Sequence, residues 1–153
     1  MQDSVQDRGR RAPTHLWIVA VVATLWNALG AYDYLMTRMR NMDYLSSMPG
    51  IDANDLLAWV DSFPIWAQFG WGLGVWAGLI GSLLLFARSR YAVWAFALSL
   101  VGIVLGIGYQ LLAAPPLRGA EGALHTLMPL AVIVIGVALF VYSRAMDRRG
   151  ALR

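Results

Sequence analysis

Apolar residues fill four long stretches of the chain, roughly 16–36, 65–87, 91–113 and 126–142, and polar residues gather between them. Each stretch approaches the about 20 apolar residues that a helix rising about 1.5 Å per residue needs to cross a hydrocarbon layer about 30 Å thick. A soluble domain of 153 residues has no use for four such segments. The pattern predicts an all-α protein: a bundle of four transmembrane helices within a transmembrane domain over residues 15–146.

The connections carry local signals of their own. Residues 1–14 are polar, mixed in charge and rich in helix breakers, which predicts a short disordered cytoplasmic tail, and residues 147–153 form a basic one. The connection over 37–63 is the longest. Pro49-Gly50 marks a turn, Asp52 is placed to cap a short helix, and Asp55 favours the positive end of that helix. Leu56, Trp59, Val60 and Phe63 then follow the i, i+3, i+4, i+7 spacing of one apolar face. The spacing predicts a short amphipathic helix in the first outer loop, lying on the membrane surface or over the mouth of the bundle. Pro64 starts the second span, where its missing N–H costs nothing, and Pro115-Pro116 stops the third. Pro129 falls in the opening turns of the fourth.

Charge gives the bundle an orientation. Arg8, Arg10 and Arg11 precede the first span, Arg88 and Arg90 join the second to the third, and Arg144, Arg148, Arg149 and Arg153 follow the fourth. Only Arg38, Arg40 and Arg118 lie on the other face. Arginine in short loops concentrates on the cytoplasmic side, so both termini are expected there and the 37–63 loop outside. The first span reads as a retained helix rather than a cleaved leader, because Asn27 interrupts its apolar run and the run continues into Tyr32, Tyr34 and Leu35. Apolar residues make up 59% of the chain and charged residues 14%, against about 25% in soluble domains. The seven tryptophans suit a bilayer; Trp17, Trp66 and Trp94 fall near helix ends, where indole favours the headgroup boundary. Membrane topology accounts for the net charge of +3, so no nucleic-acid partner is implied. That every basic residue is Arg reads as a bias towards GC-rich codons.

Glycine and the scattered polar residues supply the candidates for packing and function. Gly74 with Gly78, and Gly102 with Gly106, each place two glycines on one helix face about a turn apart. Such pairs let backbones approach where lipid gives no hydrophobic drive for association, and they predict a close antiparallel hairpin of spans two and three, with a dimer or partner-subunit seam as the competing reading. Asn27 sits near mid-depth and is expected to bond between helices. Ionisable and strongly polar groups within spans are costly and are functional candidates by default. Asp33, Gln68, Gln110 and His125, one from each span, fall at similar outer depth and make a candidate polar vestibule. The competing reading is that these groups meet interfacial water, with Asp33 paired to Arg38 or Arg40.

Absent chemistry narrows the field. With no cysteine, thiol chemistry, disulfides and Cys-ligated metal are excluded. His15 and His125 lie on opposite sides of the membrane and cannot both ligate one haem, and no metal-ligand spacing, phosphate loop or nucleophile–base set occurs. No catalytic, cofactor-binding or metal residue is assigned, no cofactor is implied, and the chain is not expected to be an enzyme.

The runs Leu25-Trp26-Asn27-Ala28-Leu29-Gly30-Ala31-Tyr32-Asp33-Tyr34, Asp61-Ser62-Phe63-Pro64, Gly72-Leu73-Gly74-Val75-Trp76, Leu83-Leu84-Leu85-Phe86-Ala87-Arg88-Ser89-Arg90 and Tyr109-Gln110 resemble a family of small four-helix inner-membrane proteins of proteobacteria, some of which carry the name sugar transporter. The resemblance covers about residues 16–149. It implies a multi-pass protein of the bacterial inner membrane and transfers no catalytic or binding residue. Two function classes remain. One is a non-catalytic accessory or scaffolding subunit of a larger membrane complex, with the lipid bilayer and other subunits, or itself, as partners. The other is a small-solute transporter or channel acting as a homo-oligomer.

Overall fold

The structure, a computed structural model, describes residues 13–120 and 123–153, the side chains of 123–126 excepted. Six helices follow one another: α1 (Thr14–Arg38), α2 (Met42–Leu45), α3 (Ala53–Asp61), α4 (Ile65–Phe86), α5 (Tyr91–Leu112) and α6 (Ala123–Arg148). Among the described residues there is no strand. Helices α1, α4 and α5, and α6 over Leu127–Arg148, are each long and apolar enough to cross a membrane. The expected tail over 1–14 lies outside the described residues up to position 12, and helix begins at Thr14.

Proline and left-handed residues set the boundaries. Pro13 and Pro64 stand immediately before α1 and α4 in extended backbone, φ −64° and −62°, and cannot continue a helix backwards. Three helices close with paired backbone bonds of one kind. Asn41 N–H donates to Met36 O and Arg40 N–H to Thr37 O, Ser89 to Leu84 and Arg88 to Leu85, and Ala151 to Met146 and Gly150 to Asp147. Such an ending needs a left-handed residue, usually glycine. Here Gly150 supplies one, at φ 68°, but Arg40 at 54° and Arg88 at 58° supply the others. A side chain in that conformation costs about 1–2 kcal/mol and persists only where its surroundings hold it. Arg40 is held by an ion pair to Asp61, and Arg88 by a hydrogen bond from Nε to Ala151 O at 3.1 Å.

The helices pack in the order α1, α4, α5, α6, and the α4–α5 hairpin is the most intimate contact. A Cβ on Gly102 would fall on the backbone of Gly74 and on Gly70 O, and one on Gly106 would meet the backbone of Trp71. Close backbone approach substitutes here for hydrophobic drive, which lipid does not provide. Towards the end that carries the termini, α1 and α6 converge on the hairpin. Leu16, Ala20, Leu85, Phe96, Leu139 and Met146 form the main core, and the His15 ring hydrogen-bonds the Tyr142 hydroxyl at 2.6 Å.

Two details depart from the apolar pattern. Helix α6 runs six residues beyond Tyr142, because Arg, Ala and Met continue a helix well and Met146 is buried. The last residues do not leave as a free basic tail. Ala151 and Leu152 are buried, and Arg153 exchanges backbone hydrogen bonds with the α4–α5 turn, donating to Arg88 O at 2.6 Å and accepting from Arg90 N at 2.9 Å.

At the opposite end the long loop folds over the mouth of the bundle. Asp52 Oδ1 accepts from Asn54 N at 2.8 Å and caps α3. Ala53 and Leu57 pack with Leu45 into a small second core, and Val60 and Phe63 are buried. The buried face thus includes Leu57, with Leu56 and Trp59 only half-buried. Trp59 is held at the rim because its indole N–H donates to Pro115 O at 2.7 Å, tying α3 to the segment after α5. The Phe63 ring meets Tyr109 edge to face, with centroids 5.0 Å apart.

Candidate functional site

Two polar groups of residues lie within the bundle. The first is at mid-depth, where α1, α4 and α5 meet. Asn27 Nδ2 donates to Ala23 O on its own helix and to Ser82 Oγ on α4, both at 2.9 Å. Ser82 Oγ donates in turn to Gly78 O at 2.9 Å, and Ser99 Oγ on α5 crosses to Gly74 O at 2.7 Å. Gly78 sits at the junction: a Cβ there would lie 2.5 Å from Asn27 Oδ1 and 3.1 Å from Ser99 Oγ. Gly78 therefore faces α1 as well as α5, whereas Gly74, Gly102 and Gly106 lie in the α4–α5 seam. Ser82 and Ser99 are both buried. Interhelical bonds of this kind are worth about 0.6 kcal/mol on average and up to about 1.7. The chemistry of this cluster is spent on joining helices.

The second group is at the loop end. Asp33 Oδ1 accepts a hydrogen bond from the Tyr44 hydroxyl at 2.9 Å, and the Tyr44 ring stands edge to face on Tyr32. Neither Arg38 nor Arg40 pairs with Asp33. Five residues advance a helix by about 500°, which puts positions 33 and 38 on different faces, and the left-handed turn at Arg40 redirects the chain. Arg38 Nη1 instead donates to Gln68 Oε1 at 3.0 Å, Gln68 Nε2 donates to Phe63 O at 2.9 Å, and Arg40 Nη2 meets Asp61 Oδ2 at 2.8 Å. These side chains, with Thr37, Leu57 and Val60, line an open pocket of about 180 Å³.

The vestibule candidates whose side chains are described do not share that pocket. Gln68 lines it; Asp33 is turned to Tyr44; Gln110 is half-buried and makes no side-chain hydrogen bond among the described residues. The side chain of His125 lies outside the described residues. The pocket's own charges, Arg38, Arg40 and Asp61, were not among the candidates. Their sequence signal is weak, since they fall in a connection where exposed charge is ordinary. Among the described residues no group of three or more potential metal ligands occurs.

Tyr44 makes a pH prediction. Burial first, and then the hydrogen bond to Asp33 and its charge, push the Tyr44 hydroxyl up to about 12. A folded value above the unfolded one, about 10, gives stability that is complete below pH 10 and is lost as pH rises towards 12. The melting temperature of Tyr44→Phe should therefore fall less than that of the parent between pH 10 and 12. Parallel curves over that interval would show that the Asp33–Tyr44 bond does not hold the loop.

Compared with protein-family models, curated proteins and solved structures, the chain matches none. The fold itself supplies the class. Four apolar spans packed through glycine and bridged by buried serines and an asparagine define a multi-pass integral membrane protein.

Proposed function

We propose that this protein is a non-catalytic accessory or scaffolding subunit, held beside a larger complex in the bacterial inner membrane with its termini in the cytoplasm. Kinship with the small four-helix proteobacterial family belongs to the same reading. One observation carries it. The polar groups and close-packing glycines at mid-depth are occupied with one another, Asn27 with Ser82, Ser99 with Gly74, Gly74 with Gly102. A solute path through one chain would need such groups to face an aqueous space. What is left for recognition is the outside of the bundle.

Gly30 gives that outside a focus. It lies on the exposed face of α1 beside Leu29, and a Cβ there would meet nothing within 4 Å. Glycine inside a helix costs about 1 kcal/mol relative to alanine, and small residues are enriched where transmembrane helices meet. A photo-crosslinking side chain at Leu29 in native membranes should yield a discrete adduct with another protein. Gly30→Leu should abolish that adduct while leaving the isolated protein as stable as before, or more so. Adducts only of twice the chain's own mass, together with solute uptake by proteoliposomes, would establish the homo-oligomeric transporter or channel instead. An adduct indifferent to Gly30→Leu would reject this docking strip.

A further inference from the structure

At the end of the bundle that carries the termini, α6 leaves an open groove of about 390 Å³ lined by Phe140, Val141, Arg144, Ala145, Arg148 and Arg149. Only 11% of the apolar window of α6 is buried, so few residues of this helix are enclosed by the rest of the bundle. The arginines fall at i, i+4 and i+5, which sets three guanidiniums around one opening. All three are exposed, and among the described residues none has an ion-pair partner. The acid on this stretch, Asp147, borders the groove without lining it and lies 3.6 Å from Arg90. The guanidinium of Arg144 stands 5.7 Å from the centroid of the Phe140 ring, which holds it at the boundary between the apolar and the charged half of the groove. The negative end of the helix dipole, about half a charge, leaves the site strongly cationic.

Below the arginines the surface is apolar. Val141, Val137 and Val134 are exposed and fall in line with Arg148 on one stripe of α6. From Arg144 to Val134 is ten residues, about 15 Å, which equals half of a hydrocarbon layer about 30 Å thick. A triple cation at headgroup level above an apolar stripe one leaflet deep matches a single class of molecule. We propose that this groove binds an anionic diacyl phospholipid, its phosphate held by Arg144, Arg148 and Arg149 and an acyl chain laid along Val141, Val137 and Val134. Arginine suits the task because its planar fork meets phosphate oxygens two at a time. A zwitterionic lipid would bring its own cation against the arginines and is disfavoured.

The test uses the full chain, delipidated in mild detergent and offered equal amounts of phosphatidylglycerol and phosphatidylcholine, with bound lipid read by native mass spectrometry. Each arginine near an anionic surface contributes about a fivefold factor, so three give a preference of roughly 100-fold for phosphatidylglycerol. The triple variant Arg144→Gln, Arg148→Gln, Arg149→Gln should fall below about tenfold, and the corresponding triple Lys variant should fall between the two, since it keeps the charge and loses the paired phosphate contacts. Unaltered melting temperatures in both variants separate lost binding from lost fold. A preference still above tenfold in the Gln variant overturns the proposal. So does displacement of the lipid by inorganic phosphate at equal concentration, which would make the site one for a free anion. A polypeptide found on these arginines in gently extracted material, with no lipid there, overturns it as well.

Discussion

Gly102→Leu is expected to lower the melting temperature of the purified bundle by roughly 10 °C, or to prevent folding, whereas Gly108→Leu on the same helix should leave it unchanged or raise it. The two substitutions share their chemistry and differ in their surroundings. Replacing an interior helical glycine gains about 1 kcal/mol of intrinsic helix propensity in both cases. At Gly108 nothing lies within 4 Å of the new Cβ, so the gain stands alone. At Gly102 the new Cβ would fall on the backbone of Gly74, which cannot rotate out of the way as a side chain can. Overpacking a core costs about 1–3 kcal/mol where side chains can adjust, and more where backbone must move. The clash therefore outweighs the propensity, and α4 and α5 must separate along the seam that the rest of the bundle packs on. Thermal unfolding followed by tryptophan fluorescence distinguishes the two variants. Equal melting temperatures would mean that Gly102 faces lipid.

Much of the architecture is legible in the sequence, and for a physical reason: crossing hydrocarbon demands long apolar runs, and such runs leave few alternatives. The four spans, Pro64 at the start of α4 and the Asp52 cap of α3 can be read from composition and single residues. The apolar pattern is silent where a helix outlives its apolar run, as α6 does to Arg148, and where a chain end folds back, as Ala151 and Leu152 do. The first rests on helix propensity and the burial of Met146, the second on contacts with the distant α4–α5 turn.

The polar candidates divide along the same line. Asn27 is recognisable as a bonding residue because mid-membrane depth admits few other uses for an amide. Its partner Ser82 is not, since a serine can satisfy itself on its own helix, as Thr24 does on Ala20 O. Counting along the spans gives Asp33, Gln68 and Gln110 similar depths, but depth says nothing of the direction in which a side chain points. Asp33 meets Tyr44 eleven residues later, after the chain has turned at Arg40, and a left-handed arginine at that turn has no signature in composition. The arginines of the α6 groove carry a sequence signal of sidedness alone. That among the described residues they lack acidic partners, and that they stand above an apolar stripe, emerges only once α6 is placed.

The interior of this four-span bundle is closed, its buried polar groups serving to join helices. The absence of native cysteine makes a direct measurement possible. A lone thiol in a Ser99→Cys or Ser82→Cys variant reports on a buried position where α1, α4 and α5 meet, and the exposed Ser47→Cys variant serves as the accessible reference. A membrane-impermeant thiol reagent is applied to each variant in native membranes, first from one side and then from both, and the total thiol is counted after denaturation. A group that reacts only through local opening is slowed by the free energy of that opening, and about 3 kcal/mol corresponds to roughly a hundredfold. The closed bundle predicts that the Ser99→Cys and Ser82→Cys variants react at least that much more slowly than the Ser47→Cys variant from either side. Modification of the Ser99→Cys variant at a rate near that of the Ser47→Cys variant would reveal water at mid-depth and an open interior.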